Sequence, residues 1–259
     1  MKSITRKSAV TLLSKVPEVT LYFWIIKIMC TTVGETAADY LNVDLQLGLA
    51  ATSVVTGVLL AIFLVMQLRS KKYVPWLYWL VVVLISTAGT LITDNLVDNF
   101  GIALKTTTIT FSFALAITFA VWYMSEKTLS IHSIFTKKRE LFYWAAILFT
   151  FALGTAAGDL AAEGLNLGYA KSAMMFGSMI GLVMIGFYGF KVNAIAAFWA
   201  AYILTRPLGA SLGDYLMQPN ANGGLGLGAM VTNMIFLSAI IGLVTYLSVT
   251  QNKVKKESA

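Results

Sequence analysis

The chain has 259 residues, of which 58% are hydrophobic and only 12% charged, with a mean hydropathy of +0.77; this excludes an ordinary soluble domain and points to a membrane solvent. The formal net charge is +7, but the basic residues gather in separated clusters that mark topology, which argues against a nucleic-acid partner. The one cysteine, Cys30, excludes a disulfide framework and a thiolate metal cluster and reads as a small core residue.

Residues 1–17 carry Lys2, Arg6, Lys7 and Lys15 and read as a cytoplasmic segment. The first apolar run, Val19 to Leu41, lacks a small-residue cleavage site and is followed at once by another run, so it is expected to be a retained span and not a signal peptide. Spans are predicted at 18–42 and 46–68, before Arg69, Lys71 and Lys72, and at 75–97 and 102–125, before a cytoplasmic linker, 126–139. That linker holds Lys127, Lys137, Lys138, Arg139 and the lone histidine, His132. Further spans at 140–162 and 167–190 precede Lys191, and those at 194–216 and 225–250 precede a tail, 251–259, with Lys253, Lys255 and Lys256. Each is about long enough to cross a hydrocarbon core of about 30 Å at 1.5 Å per residue. The opposite connections, around 42–45, 96–100, 161–165 and 217–224, contain no lysine or arginine. Under the positive-inside rule both termini are therefore cytoplasmic.

An internal repeat decides the architecture. Trp24, Trp79, Trp144 and Trp199 are each followed ten residues later by a glycine (Gly34, Gly89, Gly154, Gly209) and five residues after that by an aspartate (Asp39, Asp94, Asp159, Asp214). An aromatic precedes each tryptophan: Phe23, Tyr78, Tyr143 and Phe198. Beyond each aspartate a turn leads to a returning helix that opens with a small residue and then a hydroxyl: Gly48 and Thr52, Ala103 and Thr107, Gly168 and Ser172, Gly228 and Thr232. The repeats are 18–68, 75–125, 140–190 and 194–250, and the tryptophan spacing of 55, 65 and 55 residues is that of a hairpin duplicated twice. Since each unit has an even number of helices, all four are parallel, unlike the inverted repeats of many transporters. The expected fold is an all-α integral membrane protein: eight transmembrane helices as four parallel two-helix repeats around a pseudo-symmetry axis normal to the membrane.

At Lys15-Val16-Pro17-Glu18-Val19-Thr20, Tyr22-Phe23-Trp24, Gly34-Glu35-Thr36 with Asp39, and Arg206-Pro207-Leu208-Gly209 with Gly213-Asp214, the chain resembles a bacterial family of small membrane proteins. That family is defined by a tandem repeat of unknown function and is often labelled predicted membrane-anchored proteins. The resemblance runs from about Lys15 to about Leu247. It implies repeats and a bacterial cytoplasmic (inner) membrane location, and it carries no biochemical activity with it.

Positions three, seven, eleven and fifteen after each tryptophan form one i, i+4 stripe. The stripe reads Lys27, Thr31, Glu35, Asp39; Val82, Ser86, Thr90, Asp94; Ile147, Phe151, Thr155, Asp159; and Tyr202, Arg206, Ala210, Asp214. Polar atoms concentrate there, so the stripe is expected to face the protein interior. With the tryptophans taken as cytoplasmic interface markers, each aspartate lies roughly 22 Å away along its helix, near the external boundary. There the four either cap the returning helices or form a carboxylate ring at an external mouth, able to bind a proton or a metal ion.

Glu35 and Arg206 are deeper and unique to one repeat each, and a lone intramembrane charge needs a partner or a cavity, so they are expected to pair. Lys27 is expected to snorkel to the cytoplasm, while Lys105 and Lys171 lie near the external ends of their helices, within reach of the aspartates. The repeat glycines read as packing devices and Pro207 as a kink in its helix. With one histidine, any bound metal would be held by oxygen, and no nucleophile–base pair, phosphate-cradling loop or cofactor fingerprint is present, so neither enzyme nor cofactor is expected.

These features predict a transporter or channel-like permease for a small cation, proton-linked, using Glu35, the four aspartates and Arg206, with Thr31, Thr90 and Thr155 on the same stripe. The alternatives are a small-anion transporter using Arg206, Lys105 and Lys171, and a non-transporting membrane scaffold or sensor. Apart from the lipid bilayer and a small ion or small-molecule substrate, no partner is indicated, and the oligomeric state is open.

Overall fold

The computed structural model describes residues 14–257, with side chains through 250. Lys2, Arg6 and Lys7 of the amino-terminal segment, and the side chains of Lys253, Lys255 and Lys256 in the tail, lie outside the described residues. Within them the chain forms eight α-helices and no strand: α1 (Leu21–Asp39), α2 (Gly48–Arg69), α3 (Pro75–Asp94), α4 (Leu104–Glu126), α5 (Lys137–Asp159), α6 (Tyr169–Phe190), α7 (Ala194–Met217) and α8 (Gly228–Glu257). The odd-numbered helices begin on local devices that satisfy or dispense with the first free N–H groups. Thr20 and Thr136 accept from Phe23 and Arg139, Asn193 accepts from Ile195 and Ala196, and Pro75 opens α3.

Seven of the eight expected spans, α2 to α8, are long and apolar enough to cross a membrane. The exception, α1, carries Lys27, Glu35 and Asp39 in 19 residues and buries the first two. Its polarity faces the other helices, so it needs less hydrophobicity of its own.

The odd helices close a ring, with α1 against α3, α3 against α5, α5 against α7 and α7 against α1. Each even helix packs more extensively on the first helix of the following repeat than on its own: α2 on α3, α4 on α5, α6 on α7, and α8 back on α1. The ring is the core. Over their most apolar stretches α3, α5 and α7 are 56%, 61% and 56% buried, whereas α2, α4, α6 and α8 are 17%, 22%, 6% and 22% buried. Large apolar side chains such as Val54, Phe113, Leu182 and Ile241 cover the outside.

Two contacts, repeated round the ring, fix the register. The aromatic before each tryptophan packs on the tryptophan of the next repeat: Phe23 on Trp79, Tyr78 on Trp144, Tyr143 on Trp199 and Phe198 on Trp24, with ring centroids 5.6, 5.5, 6.2 and 5.6 Å apart. Each repeat glycine is the socket for the stripe residue three positions earlier in the next repeat. A Cβ added at Gly34, Gly89, Gly154 or Gly209 would stand 2.5 Å from Ser86 Cβ, 2.7 Å from Phe151 Cβ, 2.5 Å from Arg206 Cβ or 2.6 Å from Thr31 Cβ. Because both contacts join equivalent levels, the four odd helices run parallel. Trp79, Trp144 and Trp199 are packing residues in this aromatic belt, 1%, 2% and 5% exposed.

Directly after Asp39, Asp94 and Asp159 the helix widens into a five-residue π segment, at Tyr40–Asp44, Asn95–Asn99 and Leu160–Gly164. Its i to i+5 bonds are Leu45 to Tyr40, Phe100 to Asn95 and Leu165 to Leu160. The fourth repeat ends α7 in a short 3-10 turn, Asn220–Asn222, instead. Pro207 does not break α7, which is continuous from Ala194 to Met217.

Candidate functional site

The stripe does line the ring axis, in layers to which every repeat contributes. At the end nearest the basic clusters the layer is Phe23, Tyr78, Tyr143 and Phe198, with the Tyr78 and Tyr143 hydroxyls hydrogen-bonded to each other. These aromatics belong to the stripe, one turn before its first polar position, and they form a plug. The next layer is Lys27, Val82, Ile147 and Tyr202, each fully buried. Lys27 does not snorkel: its Nζ lies 4.3 Å from the Phe151 ring centroid and 4.2 Å from that of Tyr202, and donates to Thr205 Oγ1 at 3.3 Å. The two ring faces and the Thr205 hydroxyl are what the Lys27 amine touches in place of a carboxylate.

Above Lys27 comes a collar built by all four repeats. Arg206, fully buried, donates from Nη2 to Glu35 Oε2 at 2.8 Å, to Thr155 Oγ1 at 2.6 Å and to Thr90 Oγ1. Its Nη1 reaches the Thr31 carbonyl at 3.5 Å. Thr90 also donates to Glu35 Oε2 at 3.3 Å, and Thr31 donates to the Thr205 carbonyl at 3.2 Å. Glu35 and Arg206, 171 residues apart, thus form the buried ion pair on the axis. Several hydrogen bonds on the guanidinium offset part of the cost of taking two charges out of water.

Beyond the collar the ring opens into a cavity of about 220 Å³ whose wall includes Glu35, all four repeat aspartates, Asp98 and Glu163. Asp214 is 8% exposed and Asp39, Asp94 and Asp159 are half-buried. None of these four carboxylates accepts a hydrogen bond or joins an ion pair among the described residues. They do not cap the returning helices, whose N-cap residues are Leu47, Ala103 and Gly168 without a side-chain bond, while α8 starts at Gly228. The π segments form the cavity rim through Asn42, Val43, Val97, Asp98 and Glu163.

Lys105 and Lys171 are exposed, lie outside the cavity wall and make no ion pair among the described residues. Thr31, Thr90 and Thr155 belong to the collar below the cavity, not to its wall. No three acidic, histidine or cysteine side chains among the described residues cluster tightly enough to hold a bare metal ion.

Three features escaped the sequence. Asp98 and Glu163 stand four residues beyond the repeat aspartates, and the equivalent Val43 and Gln218 also line the cavity. One further step of the same i, i+4 stripe finds them. The aromatic plug is the same step in the other direction. Lys15, read as a topology marker, is buried, its Nζ 2.6 Å from Glu140 Oε2 and 3.2 Å from the Leu68 carbonyl, with Gln67 Nε2 donating to Glu140 Oε1 at 3.2 Å. This second pair ties the amino-terminal stretch to α2 and α5, and no local spacing announces it because its partners are 125 residues apart.

The Repeat of Unknown Function (DUF347) matches the chain four times, at residues 22–73, 77–128, 142–193 and 197–253. No curated protein and no solved structure matches it. With four tandem copies of that repeat over most of its length, the chain belongs to the DUF347 family.

Proposed function

We propose that this protein is a permease for small cations, embedded in a bacterial inner membrane with both termini cytoplasmic, the ring axis along the membrane normal and the acidic cavity facing outward. The observation that carries the reading is the convergence of Glu35 and the four repeat aspartates on one cavity that ends on the Glu35–Arg206 pair. A ring of carboxylates in a partly enclosed mouth raises the local cation concentration. Below it the axis is closed by the guanidinium, then by Lys27 and the aromatic plug. Arg206 acts as the gate, because a cation arriving at Glu35 competes with the guanidinium for the same carboxylate. These carboxylates also accept protons, so coupling to a proton gradient is part of the proposal.

The anion alternative draws less support, since Lys105 and Lys171 stand away from the cavity and Arg206 is neutralised by Glu35. The scaffold alternative is weakened by four aspartates that cap nothing. Flux through proteoliposomes with ion substitution tests the reading. Flux that follows the cation, and that changes in both Glu35→Gln and Arg206→Ala, is expected. Flux that follows the anion, or equal flux in both variants and the unaltered protein, contradicts it, and absence of any flux favours the scaffold.

A further inference from the structure

The acidic cavity combines charge, volume and spacing that together select among cations. Resting on the permease reading, we infer that the site takes a divalent cation of the magnesium class with its water shell intact, held by the carboxylates through those waters and not by direct coordination. Charge comes first. Seven carboxylates, those of Glu35, the four repeat aspartates, Asp98 and Glu163, share one wall, and no lysine or arginine is part of it.

An unsatisfied acceptor is the second observation, independent of the charge count. Asp214 is 8% exposed and lines the cavity, yet its carboxylate has no hydrogen-bond or ion-pair partner among the described residues. At the cavity floor Glu35 is 6% exposed, and its bonds to Arg206 and Thr90 both use Oε2, leaving Oε1 without a donor among the described residues. Both side chains are more than nine-tenths buried and line the cavity, so donors for these oxygens come from what the cavity holds.

The choice between a bare and a hydrated ion follows from spacing and volume. A directly coordinated ion needs three or more ligands drawn together, and no such group of acidic side chains is found among the described residues. The cavity of about 220 Å³ has room for an ion with six waters, each water needing about 10–15 Å³ of such space. Magnesium gives up its waters reluctantly and keeps an octahedral shell. Those waters point hydrogens outward and supply the donors that Asp214 and Glu35 Oε1 lack. Four aspartates, one from each helix of the ring, line the cavity, with Glu35 at its floor.

The test is a calorimetric titration of the full-length protein in lipid nanodiscs with magnesium chloride and with cobalt(III) hexaammine, an octahedral cation whose ammonia shell does not exchange. Hexaammine is expected to bind and to compete with magnesium, and Asp214→Asn to weaken both by about 10- to 100-fold. Asp159→Asn serves as the second variant should Asp214→Asn fail to fold, and the competition itself needs no variant. Magnesium binding that hexaammine leaves untouched overturns the hydrated-ion inference in favour of direct coordination. Absence of divalent binding alongside retained monovalent-cation flux overturns the inference and leaves the permease reading standing. Neither divalent binding nor cation flux brings both down.

Discussion

Arg206 and Glu35 each carry a charge that the interior tolerates only because the other is present. Removing one partner of a buried pair leaves an uncompensated charge at a cost of about 3–5 kcal/mol, whereas replacing both is far cheaper. Arg206→Gln is therefore expected to lose about that much stability, and Glu35→Gln with Arg206→Gln to recover most of it, in a double-mutant cycle followed by denaturant unfolding. Additive losses would mean that the two do not act as a pair. The glycine beneath the arginine gives a sharper steric contrast. At Gly154 a new Cβ would lie 2.5 Å from Arg206 Cβ and 3.0 Å from Pro207 Cδ, whereas at Gly158, one turn on, the nearest atom would be 3.4 Å away. Gly154→Ala is expected to cost about 1–3 kcal/mol by overpacking. Gly158→Ala is expected to be neutral or to gain up to about 1 kcal/mol of helix propensity. Thermal unfolding of the two variants side by side checks the difference. Glu35 and Arg206 stand out in the sequence as charges within apolar runs that the other repeats do not share. Lys27 departs from the snorkelling expected of it because its partners are aromatic rings from two other repeats, which no spacing within α1 reveals.

Helices end where the backbone changes its hydrogen-bond partners, and in this protein that change makes the cavity. The stripe reads correctly from Lys27 to Asp39 because an α-helix returns to the same face every fourth residue. The π segments beyond Asp39, Asp94 and Asp159 add one residue per turn and carry the wall outward; the i, i+4 step reaches Asp98 and Glu163 in them but does not reveal the change of hydrogen bonding. Seven residues past the aspartates the turn enters the left-handed region, at Gln46 (φ 55°), Gly101 (φ 66°) and Asn166 (φ 55°). Glutamine has no local bond that eases this conformation, and the left-handed geometry costs an L-residue about 1–2 kcal/mol. Gln46→Gly is expected to raise stability by up to about 1 kcal/mol, and Gly101→Gln to lower it by a similar amount, both read from unfolding midpoints. Opposite signs from these would show that the turn is not held in the geometry described. The returning helices show the limit of pattern reading. Their spans are evident from hydropathy, but their docking on the following repeat depends on contacts that only the assembled ring supplies.

As a whole the molecule is a closed circle in which no repeat is self-sufficient. α4 leaves its own repeat to pack on α5, and α8 returns from the carboxyl-terminal end to pack on α1. Fragments 1–127 and 128–259, cut at the exposed Lys127, are therefore expected to co-purify when expressed together and to form the full complement of inter-repeat contacts only then. A tagged half recovered without its mate from such co-expression would contradict the interlocked arrangement. Parallel orientation and a common axis were legible from the even helix count and the W-x9-G-x4-D spacing, because copies of one hairpin placed side by side bring equivalent residues to one level. The claim on which the function rests is that the aspartate level is a hydrated, negatively charged mouth open to the outside. Its most direct measurement uses single cysteines in a Cys30→Ala background, at Asp94→Cys in the cavity and Ile147→Cys in the sealed layer below, labelled from the external face with impermeant cationic and anionic thiol reagents. Asp94→Cys is predicted to react, and faster with the cationic reagent because three aspartates remain beside it, while Ile147→Cys stays unlabelled. A cysteine at position 94 that reacts only from the cytoplasmic face, or without regard to reagent charge, would contradict the account.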